Sequence, residues 1–297
     1  MQNRDFIGRT LCNELNIIAY VVSSLNTVRE ITSIHGTLPS ATTALGRAIN
    51  ATALLSATLK PDSDQTISLK FSGSGPFREI SVQADARGNI RGYIANPAVE
   101  KEVGNMRSFS ELIGAGFLTV IKGIGLKDPY HSVLPIRSGD IALDVAYYLT
   151  SSQQIPSALI LGLNLQDQGI ASSGGILIQK LPETDEDVVA RLDENIRTLP
   201  KSLGGALENG ESIYSFLSDI LNNAPITILH ESPLQPACRC NRAMLHEVLA
   251  GISTEELSDM IERDGGAEII CSFCKQKYLF SKEQLREIAS RDEKNSP

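Results

Sequence analysis

The sequence predicts an α+β protein with an N-terminal, mostly antiparallel sheet domain with helices, a helical linker and a small cysteine-rich C-terminal module. Strand-like segments of alternating apolar and polar residues dominate the first part of the chain, and helices interrupt them irregularly. An acidic stretch with helical periodicity follows. Four of the five cysteines then lie within residues 238–274. We therefore expect an α+β core domain over 1–181, an acidic helical linker over 182–230 and a third domain over 231–297.

Composition narrows the class of protein. Apolar residues make up 42% of the 297 residues, which is enough for a substantial core. No run reaches the ~18 apolar residues of a membrane helix, and the opening residues lack the apolar centre of a signal peptide. We therefore expect a cytoplasmic protein without a membrane partner, in a compartment where thiols stay reduced.

The net charge of −8 is concentrated in one segment of the chain. Residues 183–222 carry nine acidic and three basic side chains, whereas residues 1–182 are almost balanced. Binding to a phosphate backbone requires a basic surface, which this distribution does not provide. Nucleic acid is therefore not an expected partner.

The first 60 residues predict one strand and one long helix. Asn16–Ser23 is a short, β-branched apolar run of strand length. Apolar residues then recur at helical spacing from Leu38 to Leu59. Pro39 suits the first turn of that helix, and Pro61 lies just beyond its end.

The next part of the chain changes to the two-residue period of strands. Alternating segments centred on Leu69 and Val82 are followed by a third at Ile90–Ala95, with turn residues between them, which predicts antiparallel hairpins. Gly174-Gly175 predicts a turn or bulge at the start of a strand. The further predicted elements are a helix at Asp140–Leu149 and strands at Phe117–Ile121, Ser132–Ile136, Ala158–Leu165 and Gly175–Leu181.

The acidic linker predicts two short amphipathic helices, one around Val188 and one around Phe216. Pro200, Gly204-Gly205 and Asn209-Gly210 are expected to break the segment into pieces. Helices this short depend on packing against another surface, and repulsion between acidic side chains weakens them further. We expect a segment poised between order and disorder, with an ordinary solvated connector as the alternative.

The C-terminal module predicts three helices and a short strand. The first helix covers Arg242–Ala250, and a capping box at Ser253–Glu256 opens a second, which ends at Gly265-Gly266. Tyr278–Phe280 predicts the strand, and Ser281–Gln284 caps the last helix. So few large apolar residues make a weak core, and a module of this size needs an additional cross-link.

The spacing of the cysteines predicts such a cross-link. Cys238-Arg-Cys240 and Cys271-Ser-Phe-Cys274 form two pairs separated by thirty residues. Four thiolates satisfy the tetrahedral preference of zinc and leave no open position, which indicates a structural site with one Zn²⁺ per chain. The alternatives are two unrelated buried thiol pairs or two permanent disulfides.

Other candidate residues favour ordinary roles. His246 begins His-Glu-Val-Leu-Ala250, where a zinc protease would carry a second histidine at the last position. We therefore expect His246 and His230 to be surface or packing residues, and Cys12 to be a small buried hydrophobe. The sequence contains no phosphate-binding loop and no evident nucleophile–base set, so no catalytic residue is predicted and an enzyme is not expected.

The cysteine array and several short motifs together resemble one known family. The motifs, in chain order, are Ala44–Arg47, Gly73–Pro76, Arg91–Tyr93, Tyr147 to Pro156, and Gly174-Gly175 leading to Leu181-Pro182. With the four cysteines and Tyr278, they resemble the bacterial redox-regulated chaperones of the thirty-three-kilodalton chaperonin family, zinc-thiolate heat-shock holdases. The chain departs from that pattern at Gln153, where the family usually carries glutamate.

The resemblance implies a stress-response function. Members of this family bind unfolded client proteins without ATP, and the reduced, zinc-bound form is inactive. Oxidation is then expected to form the disulfides Cys238–Cys240 and Cys271–Cys274, release zinc, unfold the linker, expose a client-binding surface and promote a homodimer. Residues 231–297 would be the redox-switch domain.

The lengths of the loops that a metal ion and the two disulfides would close agree with that expectation. A metal ion joins the two cysteine pairs across a long loop, whereas bridges within each pair close only short loops. The competing interpretation is a zinc-ribbon-like adaptor that binds protein or nucleic acid and requires zinc. A third interpretation, an enzyme with a pocket in residues 1–180, has no supporting motif.

Overall fold

The computed structural model describes residues 4–104, 108–125, 128–263 and 265–295. The chain forms two compact units, Met1–Ala237 and Cys238–Pro297. In the described part of the first unit, the strands are β1 (Phe6–Cys12), β2 (Ile17–Ser23), β3 (Thr66–Gly73), β4 (Glu79–Asp85), β5 (Asn89–Ile94), β6 (Gly116–Gly123), β7 (Tyr130–Pro135), β8 (Ser157–Gln166), β9 (Gly169–Lys180), β10 (Thr227–Pro233) and β11 (Gln235–Pro236). The helices are α1 (Leu25–His35), α2 (Pro39–Ser56), α3 (Glu100–Val103), α4 (Phe109–Ile113), α5 (Ile141–Ser151), α6 (Glu186–Thr198), α7 (Leu203–Glu208) and α8 (Ile213–Ile220).

Two sheets form the frame of this unit. The first has the strand order β10-β1-β2-β9-β8, and the second has the order β11-β5-β4-β3-β6-β7. The pairings in both sheets are antiparallel except for the two-residue pairing of β11 with β5. Helix α2 contacts strands of both sheets and is buried along most of its length. The predicted α+β class with mostly antiparallel sheet is confirmed.

The alternating segments form the predicted hairpins. Leu69 pairs with Val82 in the β3–β4 register, and Val82 pairs with Gly92 of β5. The predicted helix over Asp140–Leu149 is also present, because the Asp140 carboxylate accepts hydrogen bonds from the backbone N–H groups of Ala142 and Leu143.

Three sequence-based expectations about this unit are wrong. The first 60 residues contain two strands and two helices, since β1 and α1 were not predicted. Gly174-Gly175 lies inside β9 and not at its start. A Cβ at Gly175 would lie only 2.9 Å from Leu54 of α2, so the glycine permits close packing of helix on strand.

The third wrong expectation concerns the linker, which contains a helix where a break was predicted. Gly204 and Gly205 lie within α7. A Cβ at Gly204 would approach the Asn164 side chain to 2.5 Å, and a Cβ at Gly162 would lie 2.7 Å from the Gly204 nitrogen. The glycines therefore permit the close approach of α7 to β8 and do not interrupt the helix.

The five-stranded sheet has a separate apolar cluster on each face. Tyr20, Val22 and Leu177 belong to the large cluster that includes α2. The alternate residues of the same two strands belong to a second cluster with the linker helices α6–α8, because successive strand side chains point to opposite faces. This linker-covered face comprises Ile17, Ala19, Val21, Ile176 and Ile178.

Residues 227–237, here called the strap, run from one sheet to the other. Its first part, β10, pairs with β1, and its second part, β11, pairs with β5. The Leu234 N–H donates to the Asp5 carbonyl oxygen at 3.1 Å, and the Ala237 N–H donates to the Ile90 carbonyl oxygen at 2.9 Å. The strap therefore stays hydrogen-bonded to the first unit up to the residue before Cys238.

The second unit is a small α+β module. Its described elements are α9 (Arg242–Ala250), α10 (Thr254–Arg263), β12 (Gly266–Ile270), β13 (Lys277–Ser281) and α11 (Lys282–Asn295). The predicted helices, caps and strand are confirmed, and β12 is an additional strand. Among the described residues, its core contains seven buried side chains, namely Leu245, Leu249, Leu257, Ile261, Phe280, Leu285 and Ile288.

Candidate metal centre

Two loops of the second unit carry the four cysteines. Cys238 and Cys240 precede α9, whose first turn is capped by the Asn241 side chain accepting from the Met244 N–H at 2.9 Å. Cys271 and Cys274 lie in the tight connection between β12 and β13. Helix α9 therefore fixes the position of the first loop, and strands β12 and β13 fix the position of the second.

The connection between β12 and β13 folds back on itself. The Cys271 N–H donates to the Gln276 carbonyl oxygen at 3.0 Å, and the Lys275 N–H donates to the Cys271 carbonyl oxygen at 2.9 Å. Lys275 adopts a positive φ of 59°, which allows this reversal. The backbone thereby turns the Cys271 and Cys274 side chains toward the same point.

The four sulfur atoms meet in one cluster. They all lie within 4.8 Å of one another, and none of the four cysteines is part of a disulfide bond. The Cys238 and Cys271 sulfurs are 3.7 Å apart, and the Cys240 and Cys274 sulfurs are 3.3 Å apart. A tetrahedral zinc site with Zn–S bonds of ~2.3 Å has sulfur–sulfur separations of about 3.8 Å. The donor set and its spacing therefore fit one tetrahedral ion held by four thiolates.

The protonation of the cluster depends on its surroundings. Burial raises the pKa of Cys274 to about 12 and also raises the pKa of Cys240, and Cys238 and Cys271 add to both shifts. Hydrogen bonds with Tyr278 and Cys274 partly offset the shift at Cys240. A central divalent cation favours the thiolate form, so ligation releases protons. The cluster can hold a metal ion of the kind that soft thiolates select.

Tyr278 supports the cluster from β13. Its hydroxyl donates to the carbonyl oxygen of Cys240 at 3.1 Å and lies 3.3 Å from the Cys240 sulfur. The hydrogen bond to Cys240 raises the pKa of Tyr278 to about 12, so the hydroxyl remains a donor. Sequence reasoning placed Tyr278 on a strand and gave it no contact with the cluster; the available signal was its position four residues after Cys274.

The remaining candidate residues lie in other places. Cys12 is 1% exposed and belongs to the cluster between the sheet and the linker helices, as expected of a small buried hydrophobe. His230 pairs with Arg9 across β1 and β10, and His246 lies on α9. Across the described ranges, no helix has the length and apolar character needed to cross a membrane.

Fold and site together define an α+β protein of two units with a four-cysteine cluster in its C-terminal unit. The crystal structure of a 33 kDa chaperonin from Thermotoga maritima matches this structure with a TM-score of 0.87 and 30% sequence identity, covering 99% of this chain and 100% of that one. The profile of the Hsp33 protein family matches residues 5–281. The chain therefore belongs to the Hsp33 family.

Curated relatives agree with this assignment over almost the full length. The 33 kDa chaperonin of Geobacter sulfurreducens is 38% identical over 287 residues, which is 96% of this chain and 94% of the relative. That of Enterococcus faecalis is 37% identical over 294 residues, covering 97% of each. Membership of a chaperone family implies that the protein binds client proteins.

Proposed function

We propose that this protein is a redox-regulated, ATP-independent holdase that is inactive when reduced and zinc-bound. One observation carries the proposal. The apolar stripes of α6–α8 and the linker-covered face of the five-stranded sheet are buried in a single shared cluster. Release of the linker would expose both halves of that cluster at once, and a large exposed apolar patch binds other polypeptides.

Zinc is the metal that the four thiolates would hold. When bound, it fixes all four sulfurs as anions in a closed tetrahedral shell and takes no part in substrate chemistry. Cys238 and Cys240 would bind it from the first loop and Cys271 and Cys274 from the second, and this ligation would join the two loops across α9 and α10. The second unit depends on that closure because its own core is small.

Oxidation of the cysteines would remove the closure. Cys238 and Cys240 would form one disulfide, and Cys271 and Cys274 would form the other, each pair giving up two electrons. With peroxide as oxidant, two molecules accept the four electrons and, with four protons, become four molecules of water. Sulfurs in disulfides are no longer thiolates, so the four residues would no longer hold the metal ion. Neither bridge connects one loop to the other.

The linker and the strap would then no longer be followed by a folded unit. The strap continues directly into Cys238, so unfolding of the second unit would free the C-terminal end of the strap. Helices of only 13, 6 and 8 residues have little stability of their own once their packing is disturbed. We propose the linker-covered face, with Ile17 and Ile178 on adjacent strands, as the client-binding surface.

Partners and location follow from the same chemistry. Homodimerisation of the oxidised form would cover part of the exposed apolar surface in the absence of client. A cytoplasmic location, where thiols are kept reduced, suits a switch that responds to oxidants. The acidic linker favours neither nucleic acid nor a membrane surface as a partner, and no catalytic role is proposed.

The test follows zinc, thiols and chaperone activity in one time course. Reduced protein is treated with peroxide while released zinc, free thiols and aggregation of a heat-unfolding client are measured. We expect four thiols to disappear, one zinc ion per chain to be released and client aggregation to be suppressed only afterwards. Zinc release without a gain in activity would contradict the switch.

Two further outcomes separate the competing interpretations. Binding activity that requires zinc and is lost on oxidation would indicate the zinc-ribbon-like adaptor. Disulfide mapping tests the mechanism, because a Cys240–Cys274 bridge would keep the two loops joined and would contradict the proposed unfolding.

A further inference from the structure

Tyr214 of α8 connects three parts of the first unit. Its ring stacks on Phe6 of β1, with ring centroids 5.8 Å apart and an interplanar angle of 25°. Its hydroxyl donates a hydrogen bond of 2.6 Å to the Glu231 carboxylate on the strap. The linker, the sheet and the strap therefore meet at one side chain.

The sequence leaves room for this arrangement at Gly8. Gly8 is the residue directly paired with Glu231 in the β1–β10 register. A Cβ on Gly8 would clash with the Tyr214 hydroxyl oxygen and would lie 2.9 Å from Val21. The tyrosine thus lies across the Gly8–Glu231 pair at the position where the strand has no side chain.

Glu231 lies on the segment that leads into the thiolate cluster. Only six residues separate it from Cys238, and the last of these, Ala237, is still hydrogen-bonded to Ile90. β10 is an edge strand, so on its outer side no neighbouring strand in the described sheet holds it in place. If the strap frays from its C-terminal end, the Glu231 carboxylate moves away from Tyr214.

We propose that the Tyr214–Glu231 hydrogen bond couples the folding of α8 to the attachment of the strap, and so transmits loss of thiolate ligation to the linker. This inference rests on the proposed function and assigns its coupling residues. Tyr214 is a positioning residue in this role, since it touches neither the sulfurs nor the client.

A purely structural role for Tyr214 makes a different prediction. If the tyrosine only stabilises α8, its loss should destabilise the helix equally with and without ligated thiolates. If it transmits the state of the strap, its loss should open α8 in the ligated protein and reduce the additional effect of chelation. The informative quantity is therefore the ratio of the two opening equilibria.

The experiment measures amide hydrogen exchange of residues 213–220 in full-length, reduced protein, zinc-loaded and after removal of zinc by a chelator. Tyr214→Phe keeps the ring on Phe6 and removes only the hydroxyl. We expect it to raise opening in the zinc-loaded protein about tenfold, equivalent to ~1.4 kcal/mol. We also expect removal of zinc to increase the opening of residues 213–220 less in Tyr214→Phe than in the wild type, by a similar factor.

Matched variants keep the test independent of general destabilisation. Lys201→Met removes ion pairs of 2.6 Å to Glu211 and 2.9 Å to Asp219, which lie within the linker and do not involve the strap. It should raise opening in both states and leave their ratio unchanged. Glu231→Ala should reproduce Tyr214→Phe from the strap side, whereas Glu231→Gln keeps an acceptor and should restore most of the coupling.

Several results would overturn the inference. An unchanged ratio in Tyr214→Phe and Glu231→Ala would show that the hydrogen bond only stabilises the helix. Wild-type residues 213–220 that remain protected after chelation would show that no coupling exists. Because the measurement uses neither oxidant nor client, failure of the redox mechanism would leave this result interpretable on its own.

Discussion

The hydroxyl of Tyr278 lies 3.3 Å from the sulfur of Cys240 and donates to the carbonyl oxygen of the same residue. This contact joins the strand after one cysteine pair to the loop that carries the other pair. The Tyr278 side chain therefore connects the two halves of the cluster independently of any ion that the four sulfurs bind. The supporting residue is the first target for a mutational test.

Tyr278→Phe should weaken zinc binding. Partners of metal ligands orient the ligand and reduce its charge density, and their loss costs about 10–100-fold in affinity. We expect a decrease of about tenfold, measured by competition with a chromogenic zinc chelator under reducing conditions. Tyr147→Phe, in α5 of the first unit, is the control and should leave the affinity unchanged. Equal zinc affinities of Tyr278→Phe and Tyr147→Phe would show that the Tyr278 hydroxyl does not support zinc binding.

Leu217→Ala should lower the barrier to linker release. Leu217 of α8 is 0% exposed in the cluster shared with the sheet. Truncation of a buried leucine costs about 2–5 kcal/mol, so less oxidant should be needed to activate the protein. Leu143→Ala is the matched control, since Leu143 is 62% exposed and its loss should change stability by less than about 0.5 kcal/mol. If Leu217→Ala and Leu143→Ala needed the same peroxide concentration for activation, the result would argue against linker release.

Cys12 should report directly on exposure of the sheet face. It is buried at 1% exposure in the cluster that the linker helices cover. A thiol-specific alkylating reagent should therefore modify it slowly in reduced, zinc-bound protein and at least tenfold faster after oxidation, as opening populates the reactive state. Mass spectrometry of the modified peptide gives both rates. The same slow rate before and after oxidation would mean that the linker stays in place.

Gly88→Ala should loosen the strap. Gly88 has φ = +84°, and a Cβ there would collide with the Pro233 carbonyl oxygen on the strap. We expect hydrogen exchange of residues 227–237 to increase at least tenfold in the reduced protein. Gly36→Ala carries a similar backbone penalty at φ = +57° but has open space around it, so it separates the collision from the strain. Unaltered strap protection in Gly88→Ala would show that the strap is held by its other contacts.

Local patterns in the sequence were sufficient for the elements that depend on local chemistry. Cysteine spacing identified the four candidate ligands, because the two ligands of each pair are close in sequence and need only one turn to converge. Alternation identified β3–β5, and the capping residues Ser281–Gln284 marked the beginning of α11. These signals lie within a few residues of the features that they specify.

Elements held by distant partners were not predictable in this way. Helix α1 begins at Leu25 with no cap from Ser24, and the Asp5 carboxylate accepts from the Thr27 N–H instead. The pairing of the strap with β1 brings together segments from opposite ends of the first unit. The contact of Tyr214 with Glu231 depends on that pairing, so no local pattern reveals it.

The two clusters on opposite faces of the five-stranded sheet have a consequence for recovery after stress. Tyr20, Val22 and Leu177 remain anchored to α2 regardless of the state of the linker, because they point away from it. If the linker is released as proposed, a platform of fixed shape would survive each round of activation and would present the same complementary surface to the returning helices. Under the proposed mechanism, reduction of the thiols would then let the protein rebuild its resting form on this template without refolding from the beginning.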